Sequence, residues 1–489
     1  MVQFHINERI ITDKKQIGTI KYVGPIPQWN VIALGVEWDD PKNGKNNGIL
    51  NGIHYFKPRV PQSGSFIKST SKKIESTKIS FVGVISNEYL NTKYEQSDIK
   101  FGRKNVQEFG WQELNEKQSN LENLKSLTLD YKFISKIFEI NNDEEIQMLK
   151  SLSKLENLEL SCNLFEDIKE VWILLDCLTS LKTLNINGNR FGITENLPNM
   201  NSHVTSLHLA SCIIDIPYLN KLLNKFPNLQ NLNIANNHYN DSEILKLKLP
   251  NNITKLDLSG NTLNNIPEFE NLKNLNLANN NIMVSKLLVS NKYEALDLRG
   301  NKISSWTEID LLSNCLQSLK EFRVNHNPLF DIMTIDEMTV QLIGRFRCGL
   351  NDLYKLNGSF LTEDEIENAN LYINSKIQGG EIKVNNNLKL QKQFNYKNPK
   401  LHDSHDFPWL NLNFVLPETG TFNEKFLKTT SVLKLKGYVS RKLNNLSILK
   451  FEIQSKSNDD INNHRLENNL STIKDYSLEN NQTLYINFV

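Results

Sequence analysis

Between residues 120 and 330 the chain repeats one apolar–polar template, L-x-x-L-x-L-x-x-N. It stands as Leu155 to Asn163, Leu181 to Asn189, Val204 to Cys212, Leu229 to Asn237, Ile253 to Asn261, Leu272 to Asn280, Tyr293 to Asn301 and Leu319 to Asn327, with a degenerate first copy at Leu124. Copies start 19 to 31 residues apart, a self-similar period that signals a solenoid. The apolar positions of each copy predict a short strand that points them inward. Neither the strand nor its returning segment can bury that face alone, so neighbours must stack into one continuous core. The closing Asn, replaced by Cys212 in one copy, reads as an inward side chain that hydrogen-bonds backbone groups at the bend. Its role is structural rather than catalytic.

The spacing reads as a leucine-rich repeat solenoid over residues 121–330. Between the last two apolar positions of each strand one residue faces a concave surface. That row is Glu159, Asn185, His208, Asn233, Asp257, Asn276, Asp297 and Arg323. It is polar and slightly acidic and lacks the Lys and Arg a phosphate backbone would need. It is expected to hold a folded protein surface, a solvated face without a ligand being the alternative. After Asn327 the period changes. Residues 331–346 read as a helix with Ile335, Met338, Leu342 and Ile343 on one side, and Thr362-Glu-Asp-Glu365 as the capping box of another. Residues 331–378 are therefore a helical C-terminal cap, and residues 71–120 a connector and N-terminal cap. The polar, Lys/Asn-rich residues 379–409 read as a linker with solvated lysines.

Periodicity returns at Leu410. Residues 410–417 alternate as a strand, Val432, Leu435, Val439 and Leu443 fall at helical spacing, and residues 446–453 and 483–489 read as further strands. This order over residues 410–489 resembles a ubiquitin-like α+β fold. The chain ends in Asn487-Phe-Val489 without a Gly-Gly pair, so a docking role is expected rather than conjugation.

Residues 1–70 are different: Gly- and Pro-rich, with short β-type runs that suggest a small barrel. They carry nine Lys/Arg against five Asp/Glu, while the whole chain is +1. In order come Leu34-Gly-Val-Glu-Trp38-Asp, Gly44-Lys-Asn-Asn-Gly48, Gly52-Ile-His-Tyr-Phe56 and Gly64-Ser-Phe-Ile-Lys68. This series resembles a CAP-Gly domain over roughly residues 9–70. The resemblance implies capture of a C-terminal Glu-Glu-Tyr/Phe tail such as that of α-tubulin. Lys45 and Lys68 would meet carboxylates, Asn46 the peptide terminus, and Trp38 and Phe66 the last aromatic ring. Tyr55 and Phe56 read as core. Two positions depart from the family: Asn47 stands for its Asp, and Ala33 for an aromatic residue whose ring Trp29 could supply.

Composition excludes several classes. Net charge is +1, so no dedicated nucleic-acid binder is expected. No run approaches 18 apolar residues and the first ten lack an apolar signal core, so no membrane span or secretory signal is expected. Five cysteines (Cys162, Cys177, Cys212, Cys315, Cys348) without a CxxC read as reduced thiols. No nucleotide-binding or zinc motif is present, so the chain is expected to be no enzyme and to need no cofactor or metal. Asn is abundant, 69 residues, many of them in the repeats.

The order CAP-Gly, leucine-rich repeats, ubiquitin-like domain resembles the tubulin-folding cofactor E family. The resemblance runs end to end and includes Tyr354-Lys-Leu-Asn-Gly-Ser359. It implies a cytoplasmic, cytoskeleton-associated chaperone, a monomer, that binds α-tubulin. It would act with tubulin-folding cofactors D, C and B and with β-tubulin in assembling and taking apart the heterodimer. The alternative is a microtubule-associated CAP-Gly linker protein.

Overall fold

The computed structural model describes residues 4–488 except 28, 76–77, 91–98, 102–103, 107–119, 193–196, 198–201, 286–291, 349–351, 383–408, 418–419, 456–463, 470 and 477. Most of the expected linker, 379–409, lies outside the described residues. The chain forms two compact units, Met1–Ile282 and Met283–Val489.

The first unit opens with strands β1 (Arg9–Thr12), β2 (Ile17–Gly24), β3 (Ala33–Trp38), β4 (Ile49–Leu50), β5 (Ile53–His54), β6 (Gly64–Lys68) and β7 (Ile74–Glu75). Five make one antiparallel sheet, ordered β6-β3-β2-β1-β7, and β4 pairs with β5. Ile10, Ile20, Leu34, Val36 and Trp38 form the core, with Ile67 and Ile74 packed against it. Trp38 was expected to line a binding surface, but it is 5% exposed in this core. The period of a strand explains the correction: Leu34, Val36 and Trp38 share one face. Arg9 is fully buried. Its guanidinium donates to Thr19 Oγ1 at 2.9 Å and to both Asp39 oxygens at 2.6 and 2.5 Å, the bidentate pairing that makes a buried Arg tolerable.

Three-residue strands then stack in parallel register: Ser126–Thr128, Asn157–Glu159, Thr183–Asn185, Ser206–His208, Asn231–Asn233, Lys255–Asp257 and Asn274–Asn276. Their central leucines are all buried. The closing asparagines point inward as expected. Asn261 Nδ2 donates to Ile234 O (3.3 Å) and Leu258 O (2.8 Å), and its Oδ1 accepts from Asn237 N (3.1 Å) and Tyr239 N (3.0 Å). Asn163 and Asn189 repeat the donor half of this pattern. The residue before each closing position (Cys162, Gly188, Ser211, Asn236, Gly260, Asn279) has positive φ, so the chain leaves every strand through a left-handed residue. Cys212 fills the ladder with a weaker donor, its Sγ 3.3 Å from Ile186 O, and burial pushes its thiol up to about 12.

Longer repeats return through helices (Asp143–Ser151, Lys169–Cys177, Ile216–Leu223); the copy that begins at Ile253, 19 residues before the next, returns without one. At the N-terminal end, Ile79–Ser80 pairs with Ile134–Lys136. The helix Phe81–Ile85 buries Phe81, Val82, Val84 and Ile85, which caps the stack. The N-terminal sheet is tied to the repeats by charge. Glu166 accepts from Arg9 N at 3.1 Å and Lys78 Nζ at 2.8 Å and lies 3.0 Å from His5 Nε2.

In the second unit the strands Ala295–Asp297, Glu321–Arg323 and Lys355–Leu356 pair in parallel with one another, and Ser359–Phe360 turns back antiparallel. Helices Ile335–Cys348 and Glu363–Gln378 follow, the second with the expected Thr362/Glu365 capping box. They approach so closely that a Cβ on Gly344 would lie 2.1 Å from Ile373. Met338, Leu342 and Ile343 are buried as expected, but Ile335 is 61% exposed. It opens the helix, before the packed stretch begins.

The C-terminal sheet places Trp409–Leu416 between the antiparallel Gly420–Leu427 and the parallel Thr483–Phe488, with Phe451–Ser455 and His464–Arg465 beyond. The helix Val432–Lys442 covers it through Val432, Leu435, Tyr438 and Val439. This is the ubiquitin-like arrangement. Its third strand starts at Phe451 rather than at residue 446, because Leu449 is turned out to solvent, 82% exposed. Replacing Asn261 by Ala should strip four buried backbone groups of their partner and lower stability by about 3 kcal/mol. A urea midpoint unchanged from wild type would rule out the ladder as a stabilising element.

Candidate functional site

Strand β6 is the spine of the N-terminal site. Side chains alternate along a strand, so Gly64, Phe66 and Lys68 share one face while Ile67 turns to the core. Gly64 anchors the Gly44–Gly48 loop. Its carbonyl accepts from Lys45 N (2.7 Å) and Asn46 N (3.0 Å), and its N–H donates to Asn46 O (2.9 Å). Asn46 Oδ1 caps Gly48 N at 2.9 Å, and Asn47 Oδ1 accepts from Gln62 N at 2.5 Å. That second bond needs only an acceptor, so an amide at 47 serves where the family has a carboxylate. Gly48 has φ +78°, and a Cβ there would meet Phe56 O at 1.8 Å; no other residue fits.

Phe66 packs edge-on against Tyr55 (5.5 Å) and Phe56 (5.4 Å), and Tyr55 against Tyr22 (5.1 Å). Phe56 is core, as expected, whereas Tyr55 is half-exposed and joins the platform. Tyr22 was not foreseen. Ile20 pairs with Val36 and Tyr22 with Gly35, leaving Lys21 as a bulge. The bulge flips Tyr22 away from the face of Ile20 and into the row of Gly35 and Phe66. Farther along β6, the Lys68 ammonium lies 5.9 Å from the Trp29 ring centroid, and Lys68 pairs with Ala33. The structure thus brings Lys45, Asn46, Phe66, Lys68 and Trp29 to one strand and its neighbours, adds Tyr22 and Tyr55, and leaves Trp38 out.

Four of the module's five acids bond within the fold, while Asp13 is exposed. Glu8 holds Lys78 at 2.9 Å, Glu37 holds Arg59 at 3.1 Å, and Asp39 holds Arg9 at 2.5 Å. Asp40 caps Lys42 N. Lys21, half-buried beside Glu37 and Arg59, is pulled down to about 8, chiefly by burial. Lys45 and Lys68 are exposed and form no ion pair among the described residues.

The concave row is built differently from what its polarity suggests. Asn185, Asn233, Asp257 and Asn276 each accept, through Oδ1, the backbone N–H two residues on, at 2.8 to 3.1 Å; Asp297 does the same in the second unit. These are Asx turns that bend the chain out of each strand. Asn276 Nδ2 also donates to Asp257 Oδ2 at 2.8 Å, and Asn185 to Glu159. His208 lies 3.1 Å from Ser206 Oγ, and burial pushes its imidazole below its ordinary value against the pull of Glu159 and Asp257. Arg323 lies on the strand Glu321–Arg323 near the Gly358 turn.

Such a platform on a small five-stranded sheet, followed by repeats and a ubiquitin-like fold, defines the class: residues 6–72 match the CAP-Gly domain, here at the head of a multidomain solenoid protein. Over the part that aligns, the chain is similar to tubulin-specific chaperone E and tubulin-folding cofactor E proteins. It is 32% identical over 260 residues to Protein PAC2 of Saccharomyces cerevisiae (51% of this chain, 50% of that protein). It is 31% identical over 195 residues to tubulin-folding cofactor E of Arabidopsis thaliana (38% and 35%), and 28% over 263 residues to tubulin-specific chaperone E of Xenopus laevis (51% and 47%). The chain spans about half the length, or less, of the curated relatives it matches. Among solved structures it is similar to the C-terminal ubiquitin-like domain of mouse tubulin-specific chaperone E, at 23% identity and TM-score 0.16 over 18% of this chain and 94% of that one. No helix among the described residues is long and apolar enough to cross a membrane.

Because Asp257 serves its own turn, Asp257→Lys should lower stability by about 1 kcal/mol, whereas the neighbouring exposed Lys255→Glu should leave it unchanged. Chemical denaturation of both variants checks this; equal stability would mean the Asx bond contributes nothing.

Proposed function

We propose that the chain is a tubulin chaperone. Its CAP-Gly module captures the acidic C-terminal tail of α-tubulin, its repeats hold the folded body, and it acts with tubulin-folding cofactors D, C and B and β-tubulin in heterodimer assembly and disassembly. The observation that carries this reading is strand β6, where Phe66 sits in an aromatic cluster, Lys68 lies beside Trp29, and the Gly44–Gly48 loop bearing Lys45 is anchored at Gly64; neither lysine forms an ion pair among the described residues. An acidic tail ending in Tyr or Phe complements it: its carboxylates meet Lys45 and Lys68, its terminus the Asn46 amide, and its ring the Phe66–Tyr55 cluster or Trp29. Recognition of a terminal carboxylate by a preformed site is a recurring mode. The names of the similar proteins support tubulin as the client.

The role is non-enzymatic, and the reading takes the chain to work as a cytoplasmic monomer associated with the cytoskeleton. Binding energy for α-tubulin, held in a form incompatible with β-tubulin, would drive separation of the heterodimer. Tail and body contacts on one chain multiply through effective concentration, so neither need be tight alone.

Lys45→Ala combined with Asn46→Ala should weaken a Glu-Glu-Tyr peptide about tenfold at low salt, the gap narrowing as salt screens the exposed charges. Calorimetry that finds wild-type affinity in the double variant would dismiss the tail site. Mixed with polymerised microtubules, the wild-type chain should stay in the supernatant and deplete polymer. Co-pelleting without depletion would favour a microtubule-bound linker instead.

A further inference from the structure

Asp39 is the first residue beyond β3, and the six residues that follow lead straight to Lys45. Every step of that path is pinned. Asp39 N donates to Ile17 O at 3.0 Å, Lys42 N to Asp40 Oδ1 at 3.0 Å, Gly44 N to Pro41 O at 2.9 Å, and Lys45 N to Gly64 O at 2.7 Å. Pro41 fixes the turn in the middle. Displacing Asp39 therefore shifts the whole entry into the Gly44–Gly48 loop.

Two residues of the solenoid act on that point. Glu166 accepts the N–H of Arg9, whose guanidinium clasps the Asp39 carboxylate. Arg190 places Nη2 3.5 Å from Asp39 O and Nε 3.7 Å from Asp39 Oδ1. Arg190 is 7% exposed. Its Nε and Nη1 are buried without a hydrogen-bond partner among the described residues, and burial lowers its pKa. A guanidinium held at such cost is stabilised there chiefly by Asp39. Apolar side chains could have glued the two modules together more cheaply; this boundary is instead a charged network centred on the root of the capture loop.

We propose that the solenoid positions the capture loop, with Glu166 and Arg190 holding Arg9 and Asp39 so that residues 41–48 are ordered before ligand arrives. Glu166 and Arg190 are positioning residues, since neither touches the proposed tail. The proposal deepens the tail-capture reading and rests on it for the identity of the ligand. A loop ordered in advance loses less entropy on binding, so tail affinity becomes a property of the intact chain.

The test uses the full-length chain as wild type, Arg190→Ala, Arg190→Lys and Glu166→Ala, with a Glu-Glu-Tyr peptide as probe. Two readouts are taken: peptide affinity by calorimetry, and amide exchange at Lys42, Gly44 and Lys45 without peptide. Arg190→Ala and Glu166→Ala should bind about fivefold more weakly, at the lower end of site-to-site coupling. They should exchange those three amides faster while the Asn261 region stays protected, and Arg190→Lys, which keeps the charge beside Asp39, should recover most of both effects. Unchanged exchange at the three amides in Arg190→Ala overturns the proposal. So does a loss that accompanies unfolding of the whole module and that Lys does not restore. If wild type ignores the peptide, the tail reading fails, and exchange still decides whether the solenoid orders the loop.

Discussion

Each repeat of the solenoid must reverse its backbone where water cannot reach, and the inward asparagine amide is what makes that reversal tolerable. One side chain offers two donors and one acceptor with two lone pairs. At Asn261 all of them find backbone groups on both sides of the bend. The left-handed residue before it sets the amide's angle of approach. Because the same bond set recurs, successive strands keep the same height, and their central leucines meet in register. A second ladder follows on the concave face, where Asn185, Asn233, Asp257 and Asn276 turn the chain out of the strand. The asparagines at these repeated positions are thus a consequence of bending the chain so often.

The N-terminal module solves the opposite electrostatic problem. A charge buried without a partner is costly, so its carboxylates are matched inside: Asp39 with Arg9, Glu37 with Arg59, Glu8 with Lys78. What remains on the surface is a cationic surplus beside a ring cluster. Of these acids, Asp39 also meets Arg190 of the repeats.

Much of this was legible in the sequence. The repeat period gave the solenoid, the capping box at Thr362 gave its helix, and the glycine spacing gave the N-terminal loop. Three features were hidden for physical reasons. Trp38 follows the ordinary alternation of β3 and so belongs to the core, although its place in the family pattern suggested a surface. Tyr22 breaks alternation through a bulge at Lys21, which no period of two can reveal. The concave row looked like a free polar face, because a side chain that serves its own backbone two residues on has the same spelling as one that waits for a partner. Ile335 and Leu449 illustrate the converse: apolar residues counted into a pattern whose ends lie outside the packed part.

These corrections change what the concave face can do. With their Oδ1 atoms committed to Asx turns, its amides keep mainly Nδ2 donors for a ligand, and where Nδ2 already meets a carboxylate, as at Asn276 and Asp257, even those are reduced. On the proposed function, the face would recognise shape and a few acceptors, a weak and salt-tolerant mode. The platform with Lys68 beside it would recognise charge, a mode that fades as salt rises. If both surfaces bind as proposed, their opposite salt responses would discriminate jointly: a protein with only an acidic tail, or only a matching body, would meet half the site. Glu166, Arg190 and Asp39 hold the module against the repeats, and on the proposed function that would let a single partner test two weak recognitions at once.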